Sequence, residues 1–144
     1  MKPELMLKAI EIAKNSDNDI PIGAVIVKDG EIISFAHNQR EKDNIATYHE
    51  EILAIQRANE KLKNWRLNNC EMYVTLEPCP MCASAIIQAR ISKVYFGAYD
   101  SLNGALSSKC DMRQIMNYNN LDVIGGIEEE NCTKILKEYF SELR

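Results

Sequence analysis

Glu77-Pro78-Cys79-Pro80-Met81-Cys82 sets two thiols three residues apart in a turn stiffened by two prolines. Met72-Tyr73-Val74-Thr75 before it has strand character, and residues 81–89 after it are small and apolar, as in a buried helix. Pro78 and Pro80 favour a loop that closes into a first helical turn. The stretch therefore predicts a strand-to-helix junction with both sulfurs at the helix start. Backbone N–H groups and the positive end of the helix dipole there favour thiolate, the form that binds metal. A Cys-x-x-Cys alone fits a redox pair or half of a structural zinc site equally well, so partner ligands decide.

The chain has only two histidines, and one of them opens His49-Glu50-Glu51, thirty residues upstream of Cys79. Zinc accepts imidazole and thiolate in tetrahedral geometry, and His49, Cys79 and Cys82 make three ligands with a fourth position left for water. Three protein ligands mark a catalytic site, four a structural one. Two thiolates cancel the charge of a zinc dication, so its water is acidified less than by a site of three neutral histidines. A carboxylate that takes the water's proton compensates, and Glu51 stands two residues from the ligand. A structural site would draw its fourth ligand from Cys70, Cys110, Cys132 or His37.

The 144 residues suit one domain, spanning residues 1–144, with 46% hydrophobic and 26% charged residues. Five cysteines, an odd number with no export signal, argue for metal binding or buried thiols over a disulfide framework. No apolar run is long enough to span a bilayer and the first residues lack a secretory apolar core, so a cytoplasmic protein is expected, with no membrane partner. The net charge of −4 and pI of about 5.3 mean that any RNA-binding role requires a local basic patch.

Residues 3–15 read as an amphipathic helix, and residues 22–27 with 32–35 as a hairpin across Lys28-Asp29-Gly30, its strands covered on both faces. Residues 37–47 read as a loop, with Thr47 capping a helix from His49 to about residue 63. Strands follow at 72–75, 94–97 and 121–124. A substrate loop is expected at 98–108, a short helix at 111–116, and a last helix with Cys132, Ile135, Leu136, Tyr139 and Phe140 as its apolar stripe. The order αββαβαβαβα implies an α/β sheet with helices on both faces.

His-x-Glu followed by Pro-Cys-x-x-Cys is the known signature of zinc deaminases of nucleobases. The sequence resembles the cytidine deaminase-like superfamily, and within it the bacterial tRNA adenosine deaminases, from about Pro3 to Phe140. The residues carrying the resemblance are Pro21-Ile22-Gly23-Ala24-Val25-Ile26-Val27, His37-Asn38, His49-Glu50-Glu51-Ile52-Leu53-Ala54-Ile55, Asn64-Trp65-Arg66-Leu67, Tyr73 through Cys82, and Phe96-Gly97-Ala98-Tyr99-Asp100. It implies a three-layer α/β/α sandwich around a five-stranded mixed sheet, a homodimer, one Zn2+ per subunit, and conversion of adenosine to inosine at the wobble position of tRNA. Zinc-activated water would attack the amino-bearing carbon of adenine while Glu51 shuttles protons. Asn38 matches the asparagine that hydrogen-bonds the flipped base, Asp100 a loop aspartate near the neighbouring nucleotide of the anticodon stem-loop. Ala24 and Pro78, with the rest of the 76–79 backbone, would line the pocket.

The family's Pro-Thr-Ala-His-Ala-Glu stands here as Ala46-Thr47-Tyr48-His49-Glu50-Glu51, which places bulk and negative charge beside the site. The alternative substrate is therefore a free base or nucleoside of guanine, adenine or cytosine type. Plainer roles exist for each residue: Glu51 as a first-turn carboxylate, Asn38 as a loop cap, and Arg57, Lys61, Lys63 and Arg66 as a solvated face. Glu77 would be a turn anchor or a solvated carboxylate, and Tyr139-Phe140 a core stripe, although the resemblance implies an aromatic pair there that lies near the RNA.

Overall fold

The protein is described here from a computed structural model, for residues 1–143. Helix α1 (Pro3–Ala13) begins on proline, where a missing N–H costs nothing, and buries Met6, Ala9, Ile10, Ile12 and Ala13. Strands β1 (Gly23–Lys28) and β2 (Glu31–His37) form the expected antiparallel hairpin, with a register shift at Ile26/Val27. Then come a one-turn helix α2 (Arg40–Asp43), α3 (Glu50–Leu62), β3 (Cys70–Leu76), α4 (Pro80–Gln88), β4 (Lys93–Ala98), the short α5 (Met112–Ile115), β5 (Asp122–Ile124) and α6 (Glu129–Glu142).

The sheet runs β2-β1-β3-β4-β5. The β1 pairings are antiparallel, whereas β3–β4 and β4–β5 are parallel, so the sheet is mixed as expected. Its two faces feed separate cores. One gathers Ile26, Met72, Val74 and Phe96 with Leu53, Ala54 and Ala58 of α3 and Ala83, Ile86 and Ile87 of α4. The other gathers Val25, Tyr73 and Tyr95 with Met6, Ala9 and Ile12 of α1 and Cys132 of α6. Each large side chain fully buried this way contributes on the order of 2 kcal/mol. The result is three layers, α/β/α. α1 approaches β1 closely because Gly23 has no side chain: a Cβ there would meet the Ala9 carbonyl oxygen and the Ala13 nitrogen.

Four local expectations are corrected. Residues 37–47 are not all loop, because Asp19 accepts hydrogen bonds from the backbone of Glu41 (2.6 Å) and Lys42 (3.1 Å) and holds the turn of α2. Thr47 does not cap α3; His49 itself is the N-cap residue, with extended backbone. β2 lies at the edge of the sheet, where α1 covers it only in part, so Phe35 is 54% exposed. On α6 only Cys132 is buried, and Phe140 stands 49% exposed, because the helix meets the sheet mainly at β4 and its second half passes beyond it.

Candidate active site

Antiparallel β1 starts where β3 ends, and Gly23 N–H donates to the Thr75 hydroxyl across that junction. The chain leaves β3 through Glu77 and Pro78 and turns into α4 with Cys79 as its N-cap residue and Pro80 next. α3 packs beside α4 and starts on His49. Both helix N-termini thus converge, and the three sequence-predicted ligands arrive on two caps and a first turn.

His49 Nδ1 lies 3.7 Å from Cys79 Sγ and 3.5 Å from Cys82 Sγ. A tetrahedral zinc with its usual bond lengths separates nitrogen and sulfur ligands by roughly 3.6 Å. The donor set therefore fits a zinc ion. Among the described residues, only these three ligating side chains meet at metal-binding distance, and His37, Cys70, Cys110 and Cys132 stay apart from them. The Cys79 thiol is pushed down to about 4 by its hydrogen bond with Cys82, burial opposing and His49 assisting. Cys82 is raised by the same pairing and by burial. The His49 imidazole is raised chiefly by its hydrogen bond with Cys79.

Beside this group opens a cleft of about 660 Å³. Glu51 lines it, is 2% exposed, and its Oε1 is buried with no hydrogen-bond partner. A buried carboxylate oxygen left free in this way is uncommon and is available to a ligand. Asn38 also lines the cleft; its Oδ1 accepts from Arg40 N–H (3.2 Å) and its Nδ2 donates to the Ile20 carbonyl (3.4 Å). Asp100 lines the cleft too, with Oδ1 accepting from the backbone of Leu102 (3.1 Å) and Asn103 (3.0 Å). Ala24 is fully buried between Ala36 and Val74, and Pro78 is buried with its carbonyl accepting from Ala105. Leu76, Glu77 and Cys79 form the wall at that point, rather than Ala24 and Pro78.

Glu77 is the turn anchor. Oε1 accepts from the Asp100 backbone (3.1 Å) and the Ser108 hydroxyl, and Oε2 from the Leu106 (3.2 Å) and Ser108 (2.8 Å) backbones. Burial alone would raise its pKa; these donors outweigh burial and hold it below the usual range. The stabilisation is therefore complete above the ordinary carboxylate pKa and is lost as pH falls through the lower folded value. Glu77→Ala leaves buried N–H groups without partners, and a loss on the order of 3 kcal/mol is expected. Urea titrations of the two proteins at pH 7 and pH 3 check this: the gap between them narrows at the lower pH.

Sequence reasoning missed several wall residues. Asp19 joins the rim through partners more than twenty residues away, which no local pattern reveals. Tyr139 and Phe140, whose spacing alone reads as core stripe while the family resemblance sets an aromatic pair near the RNA, line the cleft, Tyr139 OH donating to the Asn18 carbonyl at 3.2 Å. Glu50, singled out only as added charge, is 3% exposed in the wall and pushed up to about 7 by burial. Tyr48 packs against the core on the α3, α4 side of the sheet and is not among the described residues lining the cleft.

A family model described as MafB19-like deaminase matches residues 3–144. The tRNA-specific adenosine deaminase of Bacillus subtilis (strain 168) is 43% identical over 142 residues, 96% of this chain and 88% of that protein. That of Aquifex aeolicus (strain VF5) is 40% identical over 147 residues, 100% of this chain and 97% of that protein. A solved structure from studies of A-to-I editing by tRNA:A34 deaminases at the wobble position superposes with a TM-score of 0.87 at 37% identity, covering 94% of this chain and 100% of that one. A guanine deaminase from Nitrosomonas europaea shares the fold alone, with a TM-score of 0.86 at 19% identity over 98% of this chain and 85% of that one.

Proposed function

Because this chain belongs to the bacterial tRNA adenosine deaminase family of the cytidine deaminase-like superfamily, we propose that it deaminates adenosine to inosine at the wobble position of tRNA. The observation that carries the reaction type is the free, buried Glu51 Oε1 in a cleft wall that also contains His49 and Cys79. His49, Cys79 and Cys82 would hold a zinc ion, which would supply Lewis-acid activation of a water. Glu51 takes a proton from the attacking water and returns it to the departing amino nitrogen. Asn38, fixed by its contacts to Arg40 and Ile20, has hydrogen-bonding capacity left to orient the base. Homodimerisation and a cytoplasmic location complete the proposal on family grounds; no described helix is long and apolar enough to cross a membrane.

One observation favours the free-base alternative. Six carboxylates line the cleft (Asp19, Glu41, Glu50, Glu51, Glu77 and Asp100), a poor electrostatic match to a polyanion. A substrate comparison decides. The zinc-loaded protein is offered an anticodon stem-loop with adenosine at the wobble position, and separately adenine, adenosine, guanine, cytosine and cytidine. Inosine in the RNA with little ammonia from the small molecules is the expected outcome. Turnover of a free base with inert RNA would transfer the same chemistry to that base.

A further inference from the structure

Arg40 is the only lysine or arginine among the described residues lining the cleft, against six carboxylates. The other described arginines are engaged by the chain itself. Arg57 donates to the Phe35 carbonyl and Gln39, Arg90 to the Ile87 carbonyl, and Arg113 to Asp111 and the Leu121 carbonyl, while Arg66 lies over the Trp65 ring at 4.3 Å. Among the described residues, the Arg40 guanidinium has neither a hydrogen bond nor an ion pair, and the residue is exposed at the rim.

The backbone that carries it is nevertheless pinned. Asn38 Oδ1 accepts from Arg40 N–H, Gln39 N–H donates to the Tyr48 carbonyl at 3.0 Å, and Asp19 holds the next two N–H groups. Four bonds thus fix the rim on both sides of a side chain that the fold leaves unused. Tyr48 in turn precedes His49, so the position of Arg40 is tied to the metal-ligand helix. The electrostatics sort the parts of a nucleotide. The buried carboxylates Glu50, Glu51 and Glu77 repel a phosphate from the depth of the cleft and admit an uncharged base, and at the exposed rim Arg40 is the one cation, beside Asp19 and Glu41.

We propose that Arg40 binds a backbone phosphate next to the reacting nucleotide, holding the sugar–phosphate chain at the rim while the base enters. This rests on the tRNA assignment above. Guanidinium geometry matches two phosphate oxygens at once.

The test combines Arg40→Ala and Arg40→Lys with stem-loops carrying a neutral methylphosphonate at either linkage flanking the wobble adenosine. In Arg40→Ala, the KM and the Kd for the unmodified stem-loop rise about tenfold. The slope of log Kd against log salt becomes shallower by about one, and Arg40→Lys restores the slope. At one of the two linkages, neutralising the phosphate weakens the wild-type protein but adds nothing to the loss in Arg40→Ala. Wild-type activity on RNA with additive penalties at both linkages would overturn the phosphate site alone. Wild-type activity confined to free bases would overturn the tRNA assignment and the phosphate site together.

Discussion

Glu51→Gln is expected to retain zinc and to lose turnover by about a thousandfold or more. The substitution keeps the side chain's shape but removes a group able to carry a proton from water to a leaving nitrogen. Glu51 touches no other donor through Oε1, so the protein's stability changes little by comparison. Metal content and kcat measured on the same preparation separate the two effects. Residual activity within tenfold of wild type would remove Glu51 from the proton path.

Loss of the metal itself is expected from His49→Ala or Cys82→Ala, with zinc falling from about one per chain to near zero and deamination falling below detection. Three donors from two helix starts leave little redundancy, and no fourth ligating side chain is close enough among the described residues to replace the missing one. A chelator should lower the thermal midpoint of the wild-type protein and leave that of either variant unchanged, because zinc bound only to the native state stabilises it. Full zinc occupancy in either variant would show that the ligand set is different. Of the two, Cys82 lies deeper and is fully buried, so its replacement also leaves a small void between α3 and α4.

The strand-to-helix junction at Cys79 was legible because every local signal there agrees: β-forming residues, two prolines, then small apolar ones. The element order gave an α/β sheet with helices on both faces, and the mixed strand directions came from the family resemblance. What escaped the sequence is set by contacts with no period. α2 is one turn of charged residues and exists because Asp19 caps it from another loop. Tyr139 and Phe140 carry the same spacing as the buried part of α6, and only the place where the helix leaves the sheet decides that they face the cleft. Asn38 caps its loop, as its plainer reading anticipates, and also lines the cleft.

The four bonds received by Glu77 set a rule for redesigning the loop between Asp100 and Ser108. Its backbone must return to one carboxylate at residues 100, 106 and 108, and Gly104 passes so close that a Cβ would strike the Glu77 carboxyl group. Asn103 lines the cleft, whereas the Leu102 side chain is exposed and can be exchanged freely. Length cannot: one inserted residue between 100 and 108 shifts the later donors out of register with their acceptor. A loop transplanted from a relative to alter substrate choice will dock only if it carries the same number of residues and the same glycine.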